Sequence, residues 1–249
     1  MCMRRFAWAM VGLTAWVTTS ARAGWMTFDA FDRPDSTDLG PGWVEHSFDS
    51  SIESEQLVST SSFALATWQG QPADPASYLY GGPVQFDVYH GGNDTLQYAA
   101  AVLGFADVDN YLLLKIQDNG AGVFHRLFFY YGNSGEGWAG MTGGADFESL
   151  APEDRFTQGR VTALLVGDQV TIDIDTDFDG VADVHASRGG IPMDALGDSV
   201  GLGNFGASRL DDFRGVPDAP TMLLLASGIL IAVWWSGSRR RLAGARLRR

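Results

Sequence analysis

Between residues 24 and 215 the apolar side chains recur at every second position in short runs, and no window keeps a helical spacing. Val170, Ile172 and Ile174 alternate with Thr171, Asp173 and Asp175, so a strand here has one apolar and one acidic face. Leu112, Leu114 and Ile116 alternate with Leu113, Lys115 and Gln117, and Val161, Ala163 and Leu165 with Thr162 and Leu164. Gly and Asn/Asp clusters separate the runs: HGGND at 90–94, QDNGAG at 117–122, YGNSGEG at 131–137 and TGGAD at 142–146. Such residues accept the backbone angles that tight turns demand. Short alternating strands cut by glycine turns predict an all-β chain, an antiparallel β-sandwich of jelly-roll type. The 192 residues from Gly24 to Gly215 contain no linker-like stretch and are enough for one domain. Residues 132–159, Gly-rich and then acidic, are expected to form a long loop.

The two ends differ from this domain. Residues 1–23 carry Arg4 and Arg5, an apolar run from Phe6 to Val17, and the small-x-small string Ala21-Arg22-Ala23. That layout predicts a signal helix cleaved after Ala23, with export of the rest. Cleavage removes Cys2, the only cysteine, so no disulfide or thiolate chemistry is expected. Residues 216–249 read as a tag at 216–220, an apolar helix at 221–236 and an Arg-rich tail at 237–249. The 16-residue helix would reach roughly 24 Å at 1.5 Å per residue, against about 30 Å of hydrocarbon. Trp234 and Trp235 suit a membrane interface, and Arg239, Arg240 and Arg241 predict a cytoplasmic C-terminus.

Charge divides along the same lines. Of 30 acidic residues all but Asp218 lie between 24 and 215, against eight basic ones, a net charge of −21 for the domain. A field of that sign repels nucleic acid and anionic lipid and attracts cations. Nucleic acid is therefore excluded as a partner.

Val216-Pro217-Asp218-Ala219-Pro220, followed by a short apolar helix and an arginine cluster, resembles the PEP-CTERM sorting signal of Gram-negative bacteria or its Val-Pro-Asp relatives. The usual tag reads Val-Pro-Glu-Pro; here Ala219 separates Asp218 from Pro220. The resemblance implies an exosortase-type processing enzyme as partner, a transient stay in the inner membrane, and delivery to the cell surface or extracellular matrix. A plain C-terminal anchor is the alternative. Within the domain, FDAFDRPDSTDLGPGWVEHS at 28–47 resembles the opening strand of concanavalin A-like, laminin-G-like jelly rolls through Phe31, Arg33, Asp35, Ser36, Leu39, Gly40 and Trp43. AAVLGFADVDNYLLLKIQDNG at 100–120 is similar to their central hairpin and VGLGNFGASRLDDFRG at 200–215 to their closing strand. That fold hosts lectins, glycosidases and inert modules alike.

Hydrolytic chemistry is not expected. Laminarinase-type enzymes of that fold carry Glu-x-Asp-x-x-Glu on one strand, and no such string occurs. Glu53-Ser54-Glu55, read as one sheet face, is the nearest approach, and Glu148, Glu153 and Asp154 have no evident partner. His46, His90, His125 and His185 are scattered, without metal or triad spacing. The sharpest local signal is DIDTDFDGVADVHA, which sets Asp173, Asp175, Asp177, Asp179 and Asp183 around Gly180. From Asp175 it resembles the first nine positions of a calcium loop, but Ala186 stands where the bidentate Glu would. Calcium is the candidate cofactor, and a hairpin with an acidic turn at 177–180 the alternative. Exposed aromatics would be the platforms for sugar rings; Trp138 and Trp68 are the candidates, with Tyr78, Tyr80, Tyr130 and Tyr131 behind them.

These readings predict an exported, non-catalytic surface or matrix protein that interacts with exopolysaccharide or another matrix glycan. A secreted glycoside hydrolase on the same fold and a purely structural tail-anchored surface protein are the alternatives.

Overall fold

The computed structural model describes residues 25–47, 50–59, 63–70, 83–92, 95–132, 139–140, 147–191 and 193–216. The expected signal helix, the membrane helix and its arginines lie outside them. Among the described residues no helix is long and apolar enough to cross a membrane.

The early strands are β1 (Met26–Asp29), β2 (Trp43–Ser47), β3 (Ser50–Glu53), β4 (Gln56–Ser59), β5 (Ala64–Trp68) and β6 (Val84–Tyr89). A long central hairpin, β7 (Leu96–Asp107) and β8 (Asn110–Asn119), follows, then β9 (Arg126–Gly132), β10 (Ala139–Gly140) and β11 (Phe147–Ser149). The chain closes with β12 (Gln158–Val166), β13 (Gln169–Asp175), β14 (Val184–Arg188), β15 (Ser199–Phe205) and β16 (Arg209–Gly215). The first sheet runs β14-β13-β12-β6-β16-β4-β3, with β1 beside β16. The second runs β10-β9-β8-β7-β15-β5-β2, with β11 beside β9. All pairings are antiparallel, and the two sheets pack as a β-sandwich. The long loop expected over 132–159 instead contains β10, β11 and a 3-10 turn at Pro152–Asp154.

The period-2 pattern places the core. Val170, Ile172 and Ile174 of β13, Val161 and Ala163 of β12, and Leu112, Leu114 and Ile116 of β8 all face the other sheet and are buried. The other face of the second sheet departs from the expected exposed pattern. Leu65, Ala100, Val102, Phe105, Tyr111 and Leu113 form a second buried cluster there. Lys115 and Gln117, on the same face, are 6% and 7% exposed. The Lys115 ammonium lies 4.7, 4.5 and 5.1 Å from the ring centres of Tyr98, Phe128 and Tyr130. Burial pushes it down to about 8.

The resemblance at 28–47 comes out as two strands and a stapled loop. The Asp29 carboxylate accepts two hydrogen bonds from Arg33 (2.6 and 3.0 Å), one from Trp43 Nε1 (2.7 Å) and one from the Phe31 amide (2.8 Å). Arg33 also donates to the Leu39 carbonyl at 2.6 Å. Phe31, Leu39 and Trp43 thereby enter the core beside Trp68 and Phe213. These motif residues hold the fold.

Candidate functional site

The outer face of the first sheet is polar, and register places its side chains in rows. Arg214 of β16 stands opposite Gln85 of β6, Gln85 opposite Thr162 of β12, Thr162 opposite Asp173 of β13, and Asp173 opposite His185 of β14. The row is hydrogen-bonded in two stretches, from Arg214 to Thr162 and from Asp173 to His185. Arg214 donates to Gln85 Oε1 (3.3 Å), Gln85 Nε2 to Thr162 Oγ1 (3.0 Å), and His185 Nδ1 lies 2.5 Å from Asp173 Oδ1. Two residues further along β6, β12 and β13, and three along β16 because a bulge intervenes, is a second row: Asp211, Asp87, Arg160 and Asp175. Arg160 grips Asp87 through Nε and Nη2 at 2.8 and 2.9 Å, a bidentate pair that holds the guanidinium above its ordinary value. Arg214 is likewise paired with Asp212.

An open groove of about 480 Å³ lies over the first row from Arg214 to Asp173 and over Arg160 and Asp175 of the second. Gln85, Thr162, Asp173, Arg160 and Arg214 line it, with the loop residues Gly180 and Ala182 at one end. Trp25, immediately before β1 and 42% exposed, forms part of its wall.

The acidic string occupies the 176–183 connection between β13 and β14, longer than the four-residue turn expected at 177–180. Asp175, at the end of β13, accepts the Asp179 amide at 3.2 Å and the Gly180 amide at 2.8 Å. Asp183 accepts both the amide (2.8 Å) and the hydroxyl (2.6 Å) of Thr176, which hold its carboxyl below the ordinary value. Phe178 takes φ of 63° and Gly180 of 91°, turning the loop back on itself. Asp175, Asp177 and Asp183 each bring a carboxylate oxygen within 4.8 Å of the others, so this trio could hold a metal ion. Asp179 turns its Oδ1 to the Val181 amide at 2.8 Å, and Asp173 belongs to the polar row. Three of the five expected acids thus converge. Hard carboxylate oxygens suit Ca²⁺, and further oxygens would come from backbone carbonyls, water or ligand.

Asp87 and Asp211 are register partners across β6 and β16. Burial, together with the negative charges of Asp87, Asp32 and Glu55, pushes Asp211 up to about 6. Glu55, expected to share a sheet face with Glu53, instead sits at the β3–β4 turn with φ of 62°. A turn therefore divides Glu55 from Glu53.

Of the aromatic candidates, Trp68 is 1% exposed and packs edge-on against Trp43 at 5.3 Å, so it cannot offer a face to a sugar. Its strand position was visible in the sequence; its inward phase was not. Tyr130 and Tyr131 are half-buried, with the Tyr131 hydroxyl donating to Asn110 Oδ1 at 2.6 Å. Trp138, Tyr78 and Tyr80 lie outside the described residues, as do Ala21, Ala23, Pro217, Asp218, Pro220, Arg239, Arg240 and Arg241. Val216 is the last described residue, just past β16.

One cluster had no sequence signal. Asp118, fully buried, accepts His90 Nε2 (2.9 Å) and the amides of Ala121 (2.6 Å) and Gly122 (3.0 Å), with His125 Nδ1 3.4 Å away. Burial raises its carboxyl, but these donors outweigh burial and leave it below the ordinary value. The Gly92 amide donates to His90 Nδ1 at 3.1 Å, which makes Nδ1 the acceptor and leaves Nε2 to face Asp118. The cluster ties the β8–β9 turn to the end of β6.

No family model matches the chain, and no curated protein is similar to it in sequence. Solved structures similar to it share the sandwich architecture. The CBM2 module of the evolved Dit of Lactobacillus casei BL23 phage J-1 has a TM-score of 0.49 at 12% identity, covering 79% of this chain and 96% of that one. The endo-beta-1,3-glucanase from Pyrococcus furiosus has a TM-score of 0.49 at 10% identity over 77% and 93%. The exoplasmic/lumenal domain of VIP36, in its Ca2+/Man3GlcNAc-bound form, has a TM-score of 0.46 at 12% identity over 70% and 83%. The likeness is one of fold.

Proposed function

We propose that the chain is an exported, non-catalytic surface or matrix protein whose sandwich domain interacts with polysaccharide, assisted by calcium at the 176–183 loop. The polar outer face of the first sheet carries this reading. Each sugar hydroxyl both donates and accepts, so a surface that recognises sugars must interleave the two kinds of group. The row of Arg214, Gln85, Thr162 and Asp173 does so across four strands, and a groove lies open above it. The carboxylates of Asp175, Asp177 and Asp183 supply the start of a calcium shell at the groove's end. Support for export and sorting comes from the two chain ends: the cationic-apolar opening, and the Val216–Pro220 tag with its apolar helix and arginines. An exosortase-type enzyme would release the domain from the inner membrane of a Gram-negative cell to its surface or matrix.

A hydrolase is the second reading, favoured by one observation: Asp211, pushed up to about 6, beside Asp87. Against it, Asp87 is buried and clamped by Arg160, and neither carboxyl lines the groove.

The test incubates the full chain with insoluble exopolysaccharide and follows retention and release of reducing ends. Retention without release supports the binding reading. Release that Asp211→Asn abolishes establishes the hydrolase, and neither result leaves a structural surface protein. The intact mass of the cell-derived protein tests sorting separately. A species from Gly24 ending near Val216–Thr221 supports release; one still ending at Arg249 and confined to the inner membrane overturns it.

A further inference from the structure

We infer that the groove over the first sheet seats a short stretch of neutral glycan, with Trp25 stacking on a pyranose face while Gln85, Thr162 and Asp173 bind its hydroxyls. The inference rests on the polysaccharide reading and names the seat within it. Trp25 supplies what the polar rows lack. A pyranose has one face rich in C–H groups and a rim of hydroxyls, so it needs an apolar plate on one side and hydrogen-bonding groups on the other. Trp25 is exposed and shares the groove with the row of Arg214, Gln85, Thr162 and Asp173. From Arg214 to Asp173 the row crosses three strand intervals, about 14 Å at the usual spacing, the reach of a short oligosaccharide rather than of one ring.

Charge decides which glycan. Both guanidiniums in the groove are already neutralised, Arg160 by Asp87 and Arg214 by Asp212. The carboxylates of Asp173 and Asp175 line the same groove, within a domain of net charge −21. A uronate or sulfated sugar would bring its charge against these acids, and among the described residues lining the groove no unpaired side-chain cation would meet it; only an ion at the 176–183 loop could. A neutral hexose unit meets a surface of matched donors and acceptors.

The test is affinity electrophoresis of the detergent-purified full chain through native gels containing laminarin, galactomannan or polygalacturonate. The wild-type chain, Trp25→Ala, Trp25→Phe and Gln85→Ala are compared, with Phe147→Ala, on the second sheet, as a control. Retardation by a neutral glycan is expected, weakened about tenfold in Trp25→Ala, retained in Trp25→Phe and unchanged in Phe147→Ala. Thermal melts of the variants check the fold, which the exposure of Trp25 should spare. Retardation that survives both Trp25→Ala and Gln85→Ala overturns this seat and leaves the polysaccharide reading standing. Retardation by polygalacturonate alone overturns the neutral assignment. No retardation in any gel overturns the polysaccharide reading itself, and the seat with it.

Discussion

Asp87 and Asp211 face each other directly across β6 and β16, two carboxylates on neighbouring strands with Arg160 committed to only one of them. Asp211 carries the consequence, at about 6. The folded state holds its proton where an unfolded chain would have lost it. The contribution of Asp211 to stability is therefore most favourable below about pH 4, falls between about pH 4 and 6, and stays lowered above that. Asp211→Asn keeps the acceptor that its Oδ1 offers to the Asp212 amide and removes the repulsion. It should raise stability at pH 7 by about 1 kcal/mol after solvent screening and flatten the fall between pH 4 and 6. Urea unfolding at pH 4 and pH 7 measures both effects, and an unchanged slope would refute the coupling.

Lys115 gives the opposite sign in a different window. Its folded value of about 8 lies below the ordinary 10.5, so the unfolded chain binds the extra proton between them. Stability should rise as pH increases from about 8 to 10. Lys115→Met keeps the aliphatic stem among Tyr98, Phe128 and Tyr130, abolishes that rise and stabilises the protein at pH 7 by about 1–2 kcal/mol. The effect is smaller than the shift alone implies, because the three ring contacts are lost with the charge. Thermal melts at pH 7 and 9.5 distinguish the two chains.

Calcium added in the millimolar range should raise the melting temperature, because an ion bound only to the folded state stabilises it by mass action. Asp177 is exposed and contributes one carboxylate to the trio, so Asp177→Asn should abolish the response with little effect on the calcium-free melt. A melting temperature that ignores about 5 mM Ca²⁺ rules the loop out as a site of even extracellular-module affinity.

Asp29→Ala should be the costly substitution near the start of the domain. It leaves Arg33 and the Trp43 indole N–H without their shared acceptor and frees the loop that delivers Phe31 and Leu39 to the core. A loss of about 3 kcal/mol in chemical denaturation is expected. A loss below about 1 kcal/mol would mean that the apolar residues of the loop hold it unaided.

Much of the fold was legible because strands write their buried face every second residue. Val170, Ile172 and Ile174 are inward as their phase demanded, and Thr171 and Asp173 are outward. The phase of β8 was equally clear, yet Leu113, Lys115 and Gln117 are buried as well. Alternation tells which residues share a face, and it cannot tell whether that face meets water. The acidic loop was visible because its residues are contiguous. The polar row was not: Gln85, Thr162, Asp173 and Arg214 are adjacent only through long-range pairing, and no local spacing links them. Trp68 illustrates the same limit, its burial set by Trp43 and Phe213 from distant strands.

Met26 and Gly215 are register partners, so the chain enters and leaves the sandwich at one corner of the first sheet. The same sheet ends, at its other extreme, where Tyr89, Gln158 and Arg209 meet beside the end of β13, and there the loop of Asp177 and Asp183 begins. A body held through either terminus is therefore moored at a single point, with the loop of Asp177 and Asp183 starting from the opposite end of these strands.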